Sequence, residues 1–350
     1  MKKNKQQPQN CRLGSTGGQA VIEGIMMKSP EGCALAVRRE DGSVRIEDIE
    51  VKSAKEKFKI LKLPIIRGIV GFIESMMLSY KTLSISAEVL GFEDTDQESK
   101  FEKWLREKFG KGMVDVIMSV AMVLGLVLGF GLFFFVPILI TKGLDSVAGG
   151  NLGWFKNLIE GLIKIGVFVA YLALVSLMKD IRRTFEYHGA EHKTIFCYES
   201  EEELTVENVK KYKRFHPRCG TSFLFVMLII SILVFSLPIF TWENTVLRFV
   251  TKLLFMPLVM GIGYEFIRFA GRHDNIITRI LSAPGLWMQR ITTREPDDSM
   301  IEIAILALKR SLPSQFPEEQ AELEKLMKNN EETADTSEGD ETVGPQKEDK

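Results

Sequence analysis

The sequence predicts a mainly α-helical integral membrane protein, with about four transmembrane helices, a small N-terminal β-meander and an amphipathic helix on the cytoplasmic side. Three observations carry this. Four apolar stretches, Val114–Ile140, Leu158–Met178, Thr221–Phe240 and Val246–Ile267, each have the length of about 20 residues that crosses a bilayer. Short apolar runs ahead of them are broken by turn residues. Cations crowd one inter-span segment and avoid the others.

The stretches differ in purity. The third carries no charge and the first only Asp115, near its start. The second contains Glu160 and Lys164, and the fourth Arg248, Lys252 and Glu265; a charge within hydrocarbon calls for a partner. Between the second and third, Lys179–Gly220 holds nine Lys and Arg, against only Lys142 and Lys156 in the preceding loop and none in Thr241–Thr245. The positive-inside rule places the cation-rich segment and both termini in the cytoplasm. Met1–Gln9 is basic and polar with no apolar core behind it, so no secretory signal is expected. Cys11, Cys33, Cys197 and Cys219 then face a reducing compartment, where thiolate ligation is a more natural special use than a disulfide.

The N-terminal region reads as β-structure. Gly17–Met27 opens a set of short apolar runs interrupted by Ser29-Pro30-Glu31-Gly32 and by Asp41-Gly42. The second interruption predicts a hairpin between Ala34–Arg39 and Ser43–Val51, within a meander of about three strands. Such a sheet is marginal alone and needs a helix or the membrane domain to cover it. From Leu63-Pro64 to about Leu90 an apolar helix follows, with Arg67, Glu74, Lys81 and Glu88 at seven-residue intervals near one face. That pattern predicts an interfacial or sheet-packing helix rather than a further span.

The organisation expected is a basic tail over 1–13, a β-rich domain over 14–56, and a helical region with a charged connector over 57–110. The membrane domain follows over 111–312, and an acidic tail, expected to be disordered, over 313–350. From Pro313 onward twelve acids face four bases, so a formal net charge of −1 leaves about +7 on the preceding part. A basic body suits a bilayer with anionic headgroups as partner. Nucleic acid is excluded, because the cations flank spans instead of forming a separate aromatic-studded face. Gly17-Gly18 opens no phosphate loop, since GxxxxGK[ST] is absent.

The chemistry concentrates in Tyr187-His188-Gly189-Ala190-Glu191-His192-Lys193, directly after the second span. On a helix, His188 and His192 lie one turn apart on one face with Glu191 beside them, the order of the inverted zinc-protease motif. His216 and Cys219 follow just before the third span and bring further nitrogen and sulfur ligands. Ten residues of helix beyond Met178 lift His188 by roughly 15 Å, so both segments converge at the membrane surface. The predicted ligands of zinc or another divalent transition metal are therefore His188, His192, and His216 or Cys219, with Glu191 as the catalytic acid–base group. Three further residues stay open. Glu265 reads either as an added ligand or as the partner of Arg268. His273 reads as a ligand or a headgroup contact, and Glu23 as an exposed strand residue or a carboxylate behind the site. Cys197, five residues after His192, is out of phase with the histidines and reads as structural.

Gly17–Met27, Arg67-Gly68, Tyr187–Lys193 and Arg214–Thr221 together resemble the YqhQ-type family of bacterial multipass membrane proteins, over roughly Gly14 to Leu312. The resemblance implies a predicted metal-dependent enzyme of the bacterial plasma membrane, with His188, Glu191, His192, His216 and Cys219 in the shared pattern. Two functions follow as expectations. One is a cytoplasm-facing zinc hydrolase acting on a membrane peptide or lipid-linked headgroup. The other is a scaffold or regulator of protein partners, with a structural zinc held by His192, His216 and Cys219, and Cys197 as an optional fourth ligand. A metal transporter ranks last, because the spans offer almost no polar ligands at mid-depth.

Overall fold

A computed structural model describes residues 16–327, except 55–57, 92–119, 121–122, 126, 130, 151, 154, 218, 238–244 and 271–275. The sheet comes first, with four antiparallel strands rather than about three: β1 (Gly17–Val21), β2 (Gly24–Lys28), β3 (Cys33–Arg38) and β4 (Val44–Asp48), in sequential order. The expected hairpin is β3–β4, with Arg38 opposite Val44 and Gly42 at a φ of 85° in its turn. The extra strand arises because Gly17–Lys28 folds back on itself at Ile22-Glu23, pairing Val21 with Gly24.

Both faces of the sheet are covered, which removes the marginality of an isolated meander. Strand alternation sends Ile25, Met27, Ala36 and Ile46 to one face and Val21, Met26, Leu35 and Val37 to the other. The second face packs on Leu78, Ile85 and Val89 of α1 (Ile66–Val89). The first packs on two later helices, introduced below as α4 and α9. The predicted apolar helix is thus sheet-packing through its C-terminal half. Its N-terminal half lies against a different helix.

Then come α2 (Val136–Val147), entered through a π-turn at Gly131–Phe135, and α3 (Phe155–Val175), followed by α4 (Lys179–Glu199) and the short α5 (Val206–Lys210). The chain continues through α6 (Gly220–Phe235), α7 (Thr245–Ala270), α8 (Ile276–Thr292) and α9 (Asp298–Ser311). Among the described residues three helices are long and apolar enough to cross a membrane: Val123–Val147, Phe155–Val175 and Phe249–Phe266. The charge-free stretch expected to be the third of four spans carries α6, an apolar helix with 16 residues, about 24 Å at 1.5 Å per residue and shorter than those three; residues 238–240 of that stretch lie outside the described residues.

Glu160, Lys252 and Glu265, three of the five charges that made two stretches impure, are paired. Lys252 of α7 donates to Glu160 of α3 at 2.5 Å, and both side chains are buried. Glu265 of α7 accepts from Arg67 Nε at 2.6 Å. The close approach of α1 to α7 depends on glycine: a Cβ on Gly68 would lie 2.7 Å from the Tyr264 side chain, and one on Gly261 2.8 Å from the Ile65 carbonyl.

α9 is built as a helix should be. Asp297 accepts the Met300 N–H at 2.9 Å as N-cap, Asp298 sits in the first turn, and Lys309 and Arg310 in the last. Its inner face, including Met300, Ile301, Ile303 and Leu308, is fully buried against the sheet and α4.

Met27 and Met77 provide a matched comparison, since the first is fully buried between sheet and helices and the second is 68% exposed on α1. Met27→Ala is expected to cost about 2–5 kcal/mol, and Met77→Ala to stay within about 0.5 kcal/mol. Thermal unfolding of the two variants of the full chain in detergent reads the difference.

Candidate metal centre

α4 poses a physical problem. From Tyr187 to Glu199 almost every residue is buried, and these include Glu191, His192, Lys193, Thr194 and Glu199. Burying polar groups is costly unless each finds a partner, so the partners define the site.

Both histidines of the motif give their Nδ1–H to a main-chain carbonyl. His188 Nδ1 lies 2.8 Å from the Thr292 carbonyl, at the last residue of α8, where helix carbonyls lack intrahelical donors. His192 Nδ1 lies 2.5 Å from the Arg214 carbonyl. A carbonyl only accepts, so each ring is held with its proton on Nδ1 and its lone pair on Nε2. Both lone pairs turn toward Cys219. His188 Nε2 is 3.2 Å from Cys219 Sγ, and the ligand atoms of His188, His192 and Cys219 all lie within 4.8 Å of one another. His192 Nε2 is buried without a hydrogen-bond partner of good geometry. Burial, and then the neighbouring His188, push the His192 imidazole toward its neutral form. An orphaned neutral nitrogen beside a second nitrogen and a sulfur fits a metal ion. The outer carbonyls are the supports that metal-bound histidines need. The His-His-Cys group can hold a metal.

Glu191 faces the sheet. Its carboxylate accepts the main-chain N–H groups of Gly18 and Ala20 on the edge strand β1. A Cβ on Gly18 would lie 2.9 Å from Glu191 Cδ, so glycine there leaves room for the carboxyl group. Burial pushes this carboxyl up to about 7, opposed by His188 and by the two N–H donors, and assisted by Cys219. The glycine inside the motif has an equally specific cause. A Cβ on Gly189 would meet the Arg294 carbonyl at 1.9 Å, where the chain leaving α8 is tied to α4 by the Arg294 N–H donating to the Phe185 carbonyl at 2.8 Å.

The remaining predicted residues are placed as follows. His216 does not join the three close ligands. Its ring centre is 5.6 Å from that of His192 and 4.5 Å from that of Phe196, and its Nε2 is 3.5 Å from a Glu199 carboxylate oxygen. The reason is its backbone: the Gln289 side-chain amide accepts the His216 N–H and donates to the His216 carbonyl, both at 2.7 Å. Cys197 lies five residues beyond His192, about 140° round the helix, and its thiol points to the Glu203 carbonyl at 3.5 Å. The His192–His216–Cys219–Cys197 set is therefore not assembled. Glu265 engages Arg67 rather than this cluster. Glu23 holds Arg183 and accepts from the Tyr187 hydroxyl at 3.1 Å, clamping the β1–β2 turn to the first half of α4. His273 lies outside the described residues. Lys193, which the sequence did not single out, is buried and donates to the Lys210 carbonyl at 3.2 Å and to Glu295. Gln289 was equally unforeseen, and a lone glutamine in an apolar helix carries no sequence signal.

The Glu191 shift has a pH signature. The folded value of about 7 stands above the ordinary 4.5, so the neutral form is the one favoured by folding. That contribution is full below about pH 4.5 and is lost as pH rises toward 7. At about 1.4 kcal/mol per unit the loss is on the order of 3 kcal/mol. Thermal melts of metal-free protein against pH should show this decline in wild type and a flatter profile in Glu191→Gln.

The model of a family described as proteins of unknown function, DUF1385, matches residues 63–314, which include α4, Cys219, Gln289 and Thr292. A protein of Bacillus subtilis (strain 168), the uncharacterized protein YqhQ, is 33% identical over 292 residues, covering 83% of this chain and 89% of the other. No solved structure matches. The chain belongs to the DUF1385, YqhQ-type family.

Proposed function

We propose that the protein is an integral-membrane metalloenzyme, a zinc hydrolase whose site faces the cytoplasm. The observation that carries this reading is the pair of tautomers fixed by the Thr292 and Arg214 carbonyls, which aims two Nε2 lone pairs at Cys219. His188, His192 and Cys219 would hold the ion. Three protein ligands are the number found in catalytic zinc sites, where the metal supplies Lewis acidity and a more acidic bound water. Glu191 is the group for proton movement, because a carboxyl near 7 holds and releases a proton at neutral pH. The cytoplasmic orientation rests on the nine cations between Lys179 and Gly220. A membrane peptide or lipid-linked headgroup is the substrate class, since α4 follows α3, a helix able to cross a membrane, and Cys219 precedes the apolar α6.

A second reading, a structural metal in a scaffold or regulator, is favoured by one observation. Glu191 ties down the edge strand β1, a structural task in its own right.

Metal analysis separates binding from its absence. Purified wild type should carry about one equivalent of zinc or another divalent metal, and His188→Ala plus His192→Ala almost none. Equal, near-zero content in both sinks the metal reading. Glu191→Gln should retain the metal. In cells, a membrane peptide or lipid-linked species that accumulates with Glu191→Gln and with the double variant alike supports the hydrolase. An unchanged membrane composition in both favours the structural reading.

A further inference from the structure

One face of α1 has no cover among the described residues. Ile73, Met76, Met77, Tyr80 and Leu83 are between 44% and 76% exposed. Their spacing of three and four residues puts them in one stripe of the helix, opposite the Leu78, Ile85 and Val89 side that packs on the sheet. The stripe continues into the chain ahead of the helix, where Phe58, Ile60 and Leu63 are at least half exposed. A contiguous apolar surface of this kind marks an interaction site.

What covers it is indicated by where α1 begins. Its first turn packs on Gly261, Tyr264 and Glu265, all inside Phe249–Phe266, a helix apolar and long enough to cross a membrane. The contact is glycine against glycine: a Cβ on Gly68 would lie 3.1 Å from Gly261 Cα, a close approach characteristic of helices that meet within lipid. The one charge entering at that level, Arg67, is neutralised by Glu265. Exposed residues on this α7 segment, Val250, Leu253 and Leu254, are apolar as well. Lys59, Lys62 and Lys81 are exposed beside the stripe, where cations meet anionic headgroups. The apolar surface of α1 is therefore an extension of the surface that α7 presents.

We propose that residues 58–83 are a further membrane element beside the candidate spans: the chain dips to the level of Gly261, and α1 leaves it along the bilayer interface with Ile73, Met76, Met77, Tyr80 and Leu83 in lipid. The partner is the bilayer itself. The sheet then rides on the membrane surface through α1. The inference is independent of the metal site.

The test places p-benzoylphenylalanine, one position at a time, at Met77, Tyr80 and, as a water-facing control, Glu302 of α9, whose side chain is 58% exposed. The full chain is irradiated in native cell membranes, and adducts are identified by mass. Lipid adducts several-fold more abundant at Met77 and Tyr80 than at Glu302 are expected. A discrete protein adduct at the stripe, or lipid adducts no more frequent than at Glu302, overturns the proposal. All three sites are exposed, so each variant should elute from detergent size-exclusion as wild type does.

Discussion

Two main-chain carbonyls govern the arrangement of the candidate site. Thr292 and Arg214 fix the tautomers of His188 and His192, and they come from separate elements, the end of α8 and the segment before α6. Each must be held for the nitrogens to converge. Thr292 is positioned by α8 and by the adjoining Arg294 bond to α4. Arg214 is positioned because Gln289, also on α8, grips the main chain of His216 from both sides. α8 thus orients one histidine directly and the other through the loop that also delivers Cys219. A buried amide with both ends satisfied is rigid, which suits a support for metal ligands.

The sheet is joined to the same helix by carboxylates. Glu191 satisfies two outward N–H groups of the edge strand β1, which would otherwise be exposed pairing sites or buried orphans. Glu23, in the turn that ends β1, holds Arg183 and Tyr187, two turns and one turn earlier on α4. On its other side β1 meets α1, where Ser79 donates to the Gln19 side chain at 2.6 Å. The strand therefore links α1, which leans on α7, to the carboxylate beside the metal ligands. Displacement of α1 and ionisation of Glu191 act on one strand.

Much of this was legible in the sequence where local chemistry dictates structure. Asp41-Gly42 between apolar runs gave the β3–β4 hairpin, and the apolar run after Leu63-Pro64 gave α1. One helical turn between His188 and His192 placed both on one face, and the phase of Cys197 removed it from that face. What was not legible has a physical reason in each case. The β1–β2 turn uses Glu23 at a φ of 51°, and nothing in a glutamate signals left-handed backbone. The decisive acceptors are carbonyls, which every residue has. His216 shares the loop and the chemistry of Cys219, but an amide 73 residues away decides that its ring faces Glu199.

The central claim is that two Nε2 atoms and one thiolate are arranged to hold one ion. X-ray absorption at the metal edge of the purified full chain tests it most directly. A bound zinc should show one sulfur at about 2.3 Å and two imidazole nitrogens at about 2.0–2.1 Å, with the sulfur lost in Cys219→Ser. A sulfur-free shell in the wild type, or a protein that binds no metal when supplied with it, would contradict it.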